Sequence, residues 1–320
     1  MHRPITSILL PILLGLLACA STDPARAETM QQAQVASDMG DWRRAAALWY
    51  GVYRDDPDQR ASVAAPTAEA LLGSGDPASA LSVVRDSRGL GASGAQLAHV
   101  AAQARAELGD NDGAITELRT ALREDPDQGA WWWELAPWLW AAGEQVHTRE
   151  ALDRALKLGQ DGPELRLLRA RVLTALGEDT LAFDAWRELL QRPDRDAVSL
   201  LEAARLAVRP SLAIERPQAL ALGVLWYERA VRAEPQDLQI QREFAYAALL
   251  SGDVDKALSA FERASELAPT DQELLSDLAA LHVTRGGAKR ARELLRRALA
   301  LETDPDVTRD WQRRIDAIVD

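Results

Sequence analysis

Seven glycines recur at a nearly fixed interval. Gly40, Gly75, Gly109, Gly143, Gly177, Gly252 and Gly286 are spaced by 35, 34, 34, 34, 75 and 34 residues. The long step is two intervals plus seven residues. A fixed period of this size means that one supersecondary unit is built many times over. Such a unit cannot bury its own apolar face, so its stability must come from its neighbours. Glycines and prolines break the chain roughly every 15 residues, which excludes a long coiled coil.

With each unit numbered so that its turn glycine is position 15, other positions fall into line. Position 8 is alanine eight times: Ala33, Ala68, Ala102, Ala136, Ala170, Ala204, Ala245 and Ala279. Position 20 is Ala45, Ala80, Ala114, Thr148, Ala182, Gly223, Ala257 and Ala291. Position 24 is large: Trp49, Val84, Leu118, Leu152, Trp186, Tyr227, Phe261 and Leu295. Position 27 is mostly small, and position 32 is Pro57, Pro126, Pro235 and Pro269. Two helices that cross closely need small side chains at the crossing, and a large one fills the gap between units. Glycine ends the first helix by taking positive φ. Proline ends the second.

This pattern resembles the tetratricopeptide repeat (TPR) over roughly residues 26–305. The resemblance implies an all-α solenoid, a right-handed superhelix of about eight helical hairpins, closed by a capping helix over 306–320. Three units depart from the pattern. Unit 61–94 carries Pro66 in its first helix, and unit 129–162 carries Pro137 there and Thr148 at position 20. Both prolines are expected to kink or loosen the stack. Unit 197–237 is seven residues too long, which places an insertion near 208–218. The acidic strings Asp55-Asp56-Pro57-Asp58 and Glu124-Asp125-Pro126-Asp127 read as turns between units, where carboxylates cap the next helix.

The N-terminus reads as an export signal. Arg3 precedes an apolar run from Ile5 to Leu17 that is too short to span a bilayer. Leu16-Leu17-Ala18-Cys19 then resembles the bacterial lipobox, and Cys19 is the one cysteine of the chain. That resemblance implies a signal peptide over 1–18, lipid on Cys19, and a tether over 19–25. Several acyl chains hold a protein at a membrane effectively irreversibly, at about 0.8 kcal/mol per buried methylene. Ala20 points to the outer membrane, on its periplasmic face. The alternative is ordinary cleavage after Ala27, in Ala25-Arg26-Ala27, and a soluble periplasmic protein.

No catalytic constellation is present. The histidines His2, His99, His147 and His282 form no metal-binding pair, and no HExxH, GxxxxGK[ST] or GxSxG string occurs. Neither metal, cofactor nor enzymatic activity is expected. A net charge of -12 argues against nucleic-acid partners, which demand a basic surface.

In TPR proteins the inner groove is lined by the first helix of each unit, at positions 2, 5, 9, 12 and 13. The resemblance therefore assigns the groove to Gln96, His99, Gln103, Trp133, Trp140, Arg171, Arg205, Arg209, Gln239, Arg242 and Tyr246. Its basic members suggest a partner segment bearing carboxylates. The tryptophan-rich string Trp131–Trp140 has two readings, packing around Pro137 or a partner hot spot at Trp133 and Trp140. The function expected is a scaffold or adaptor for a cell-envelope assembly, pilus or secretion complex, bound to other envelope proteins or to an extended peptide. The alternatives are a soluble periplasmic chaperone or carrier, and a non-catalytic accessory subunit of a polysaccharide or cell-wall enzyme.

Overall fold

The computed structural model describes residues 23–191 and 196–318, and among them every regular element is a helix. Cys19 and the signal segment lie outside the described residues. The chain divides into two compact bodies that meet at Asp161–Gly162. The first contains α1 (Pro24–Asp38), α2 (Trp42–Asp55), α3 (Arg60–Gly73), α4 (Pro77–Gly89), α5 (Ala95–Glu107), α6 (Asn111–Glu124), α7 (Gly129–Ala141) and α8 (Gln145–Lys157). The second contains α9 (Pro163–Ala175), α10 (Asp179–Leu189), α11 (Ala197–Ala207), α12 (Pro210–Glu215), α13 (Ala219–Ala233), α14 (Leu238–Leu250), α15 (Val254–Leu267), α16 (Gln272–Thr284), α17 (Ala288–Leu299) and α18 (Pro305–Asp316).

In each body the helices pair as hairpins, and each hairpin packs on the next. All seven periodic glycines have positive φ, from 71° to 87°. The residue after each turn glycine closes the helix behind it. Asp41, Asp76, Asp110, Glu144, Glu178, Asp253 and Gly287 each donate their N–H to the carbonyl five residues back. Where that residue is aspartate, its side chain also opens the next helix. Asp41, Asp76, Asp110 and Asp253 accept from the N–H three residues on. The glycine–aspartate pair thus ends one helix and starts its partner. Glu144 and Glu178 stand at the same place without capping by their side chains.

The acidic strings before the odd-numbered helices behave differently from expectation. Gln59 and Gln128, not the aspartates, stand at the N-caps of α3 and α7, and neither caps with its side chain. Asp56 is buried and holds Arg26 of α1 and the N–H of Asp58. Asp125 holds the Gln128 amide. These carboxylates brace the turn itself. Besides Asp253, the carboxylates that cap helices of the second body are Asp196, Asp237, Asp271 and Asp304, one residue before their helices.

Positions 8, 20 and 24 are buried in every unit. The position-8 alanines are at most 1% exposed, and of the large residues Leu118, Leu152, Trp186 and Phe261 are fully enclosed. The two prolines do not end their helices. α3 runs through Pro66 and α7 through Pro137, and Ala68 and Ala136 two residues or one away remain at 0% exposure. The surplus residues of unit 197–237 form α12 rather than an open loop. Leu212 anchors it in the core at 1% exposure, Arg209 reaches Asp179 at 2.6 Å, and Arg216 reaches Asp184 at 2.9 Å. The insertion is therefore folded back on α10. At the chain's end, Trp311 and Ile315 of α18 pack into the core of the second body, while Arg309, Asp310 and Arg313 face water.

Candidate partner-binding site

The groove residues expected in the second body are already occupied. Arg171 of α9 gives a 2.8 Å ion pair to Glu202 of α11. Arg205 of α11 binds Glu243 of α14 through both oxygens, at 2.7 and 2.6 Å. Tyr246 of α14 donates to Asp277 of α16. Each of these pairs joins position 9 of one unit to position 6 of the next, so they form rungs between successive first helices. Arg242 adds bonds to Asp271 and Glu273, and Gln239 donates to Glu243. The guanidinium groups that suggested an acidic partner are neutralised by the protein's own carboxylates.

The Glu243 carboxylate collects donors from three residues. Burial pulls the Glu243 carboxyl upward, but donation from Arg205, Gln239 and Tyr227 outweighs it and holds the group below its ordinary value. Burial, then the Glu243 charge, pushes the Tyr227 phenol above its usual range. Burial and the bond to Asp277 push Tyr246 up to about 12. A carboxyl with a lowered folded pKa stabilises the fold above the unfolded value of about 4.3, and this stabilisation is lost as pH falls through the folded one. Glu243→Gln should therefore cost roughly 1–2 kcal/mol at pH 7. The deficit should shrink at acid pH, below the ordinary carboxylate range, as the wild-type carboxyl also takes up its proton. Urea titrations at neutral and at acid pH check this, and a deficit independent of pH would exclude it.

The first body is different. His99 of α5 is buried, stacked on Trp131 with ring centroids 4.5 Å apart, and Nε2 lies 2.6 Å from Glu134 of α7. It links two helices and is not open to a partner. Gln96 donates to Glu69 at 3.5 Å. Trp131 belongs to the core, and Trp132 ties its indole N–H to the Pro126 carbonyl at 2.8 Å. Trp133 and Trp140 are half-buried. Neither lines either of the two openings described next.

One of these openings, of about 590 Å3, lies among α2, α3, α5 and α7. Its floor is Leu72 and Ala106, and Trp42 and Trp138 present half-exposed indoles to it. Glu69, Glu107 and Glu134 supply carboxylates, and Gln103 an amide. Gln103 is thus the predicted groove residue that the structure does bring into a cavity. Trp42 sits flat on Gly73, where a Cβ would lie 2.4 Å from the indole. That glycine makes the seat for the ring. Glu69 and Glu107 stand at positions 9 and 13, so the groove numbering could have found them. Trp42 opens a second helix and Trp138 stands at position 10, so that numbering passes over both.

A second cavity, of about 500 Å3, lies among α6, α7 and α8. Leu122, Leu135, Leu139 and Trp132 line it, with Arg119, Arg123 and His147 also at its wall. Glu144 holds Arg119 at 2.6 Å and His147 at 2.8 Å. Among the described residues no group of three or more His, Cys, Asp or Glu is placed to hold a metal ion. No helix among them is long and apolar enough to cross a membrane.

Two stretches match tetratricopeptide repeat family models, residues 99–145 and residues 248–309, one in each body. No curated protein matches the chain. Among solved structures, the C-terminal part of a TPR repeat-containing protein from Cytophaga hutchinsonii is 12% identical. It covers 77% of this chain and 98% of its own, with a TM-score of 0.52, which shows a shared fold. The TPR protein YrrB, whose structure is described as having an unusual peptide-binding site, is 16% identical over 61% of this chain and 97% of its own, at a TM-score of 0.48. A tetratricopeptide repeat protein from Parabacteroides merdae is 13% identical over 92% of this chain and all of its own, at 0.43. With the periodic glycines at positive φ, the small residues buried at each crossing and the two matched stretches, the chain is an all-α solenoid that carries tetratricopeptide repeats at those stretches.

Proposed function

We propose that this protein is a lipid-anchored scaffold of the bacterial envelope. In this reading Cys19 carries the acyl chains, the repeats stand on the periplasmic face of the outer membrane, and they hold a protein component of an envelope assembly, pilus or secretion complex. The observation that carries the binding role is the cavity beside Trp42 and Trp138, where Gln103 and Glu107 make no hydrogen bond or ion pair with any described residue. Groups left open in a cavity of this size are what a partner can engage, since ligand sites commonly measure about 300–1,000 Å3.

The beginning of α1 supports processing at Cys19 over cleavage after Ala27. Asp23 caps the helix, and Arg26 is the cation that partners the buried Asp56. Cleavage after Ala27 would remove both and leave Asp56 without its guanidinium, which is unfavourable for a buried charge. Replacing Cys19 with serine should move the protein from the outer-membrane fraction to the soluble periplasm, read by fractionation and immunoblot. Unchanged membrane recovery would refute the anchor. Capture from detergent-solubilised envelope, followed by mass spectrometry, tests the scaffold: recovery of no envelope protein above a control chain would refute it.

A further inference from the structure

We propose that the cavity beside Trp42 and Trp138 receives a cationic, extended segment of a protein partner, through lysine or arginine side chains. This inference rests on the scaffold reading and gives its site a chemistry opposite to the one the arginine-bearing helices suggested. The two bodies differ in how their charges are settled. In the second body the position-9 cations face position-6 carboxylates of the next unit, and the charges cancel within the chain. In the first body position 9 is Gln34, Glu69, Gln103 and Pro137, of which Glu69 and Gln103 line the opening, and no cation lines it. Glu107 makes no hydrogen bond or ion pair among the described residues, and Glu69 has only the long 3.5 Å contact from the neutral Gln96 amide. Glu134 is engaged on one side by His99. Negative charge at this opening is therefore left for a guest to neutralise.

The walls narrow the guest further. A cation over an indole face gains about 0.5–2 kcal/mol, more as it is desolvated. Lysine and arginine also carry long apolar stems that suit a floor of leucine and alanine. The seat of Trp42 on Gly73 leaves that ring little room to turn away, so the wall exists before the guest arrives. A carboxylate-bearing segment has no donor here other than the Gln103 amide and the indole N–H groups, and would face three glutamates.

The test is isothermal titration of the full chain in detergent with a short acetylated and amidated peptide alternating lysine and alanine. Peptides of the same length with glutamine or glutamate in place of lysine are the comparison. The lysine peptide should bind at least about tenfold more tightly than the glutamine peptide, with the glutamate peptide weakest. Its advantage should fall between about 50 and about 500 mM salt. The double variant Glu69→Gln, Glu107→Gln should weaken lysine-peptide binding roughly three- to tenfold with helicity unchanged.

A second double variant, Asp58→Asn with Asp112→Asn, removes the same net charge at exposed sites outside the cavity. It should leave binding within about twofold, because these exposed carboxylates lie outside the cavity lining and are screened by salt. Equal binding of lysine and glutamine peptides, or equal loss in both double variants, overturns the inference. So does undiminished capture of envelope proteins by the Glu69→Gln, Glu107→Gln protein. That last result leaves the scaffold itself standing.

Discussion

Trp186→Ala should destabilise the second body by about 3–5 kcal/mol, the cost of emptying a fully enclosed indole site. Trp186 is at 0% exposure in α10, where it fills the space between hairpins, and its N–H reaches the Thr174 hydroxyl of α9 at 3.0 Å. The loss is one of packing, because Thr174 keeps its bond to the Ala170 carbonyl at 2.8 Å. Repeat proteins are stabilised by neighbour contacts, so the damage should stay near its origin. Hydrogen exchange read by mass spectrometry should show lost protection in α9, α10 and α11, with α1–α4 unchanged. Trp138→Ala, at a half-exposed indole, should cost less than half as much. A Trp186→Ala loss under about 1 kcal/mol in urea titration would show that the site is not the packed joint described here.

Gly223→Val should be the second severe change, and Gly223→Ala a mild one. Position 20 is alanine or threonine in the other seven units, whereas here the glycine lies close against α11. A Cβ on Gly223 would lie 3.0 Å from the Ala207 methyl, 3.2 Å from a Val208 methyl and 3.5 Å from the Ala204 carbonyl oxygen. One added methyl requires its neighbours to move by a few tenths of an ångström. It also gains up to about 1 kcal/mol of helix propensity, so Gly223→Ala should lie near the wild type. The branched valine adds two more methyls to a full site and should cost about 2–3 kcal/mol, or misfold the hairpin outright. Urea midpoints should rank glycine and alanine together, with valine well below. A valine protein as stable as the wild type would mean that α11 and α13 can separate freely.

The repeat was legible because its steric demands are local and identical in every unit. A helix pair crosses at position 8 against position 20 whatever its neighbours carry, so small residues recur and can be counted. The rungs of the second body were legible in principle but were read singly. Arg171 and Glu202 lie 31 residues apart, Tyr246 and Asp277 likewise 31, which is one period less three positions. Arg205 and Glu243 lie 38 apart because α12 intervenes with seven more residues. Written as aligned rows, arginine at position 9 stands beside glutamate at position 6 of the row below. Read along one helix, the same arginine looks unclaimed. The capping aspartates are hard to place from sequence for a related reason. Acidic strings before a helix draw the eye, whereas the working aspartates of the hairpins follow the turn glycine. Trp42 could not have been found by position, since its place depends on how the start of one hairpin's second helix rests against the end of the next unit's first helix.

The Arg205–Glu243 rung has a consequence for what the second body can accept. A carboxylate tethered in the same chain competes at an effective concentration in the millimolar range or above, and it never diffuses away. An acidic visitor to that wall must evict an incumbent already gripped by two hydrogen bonds. Weak anionic ligands are thereby screened out, and only one that offers more contacts than the resident glutamate could take its place.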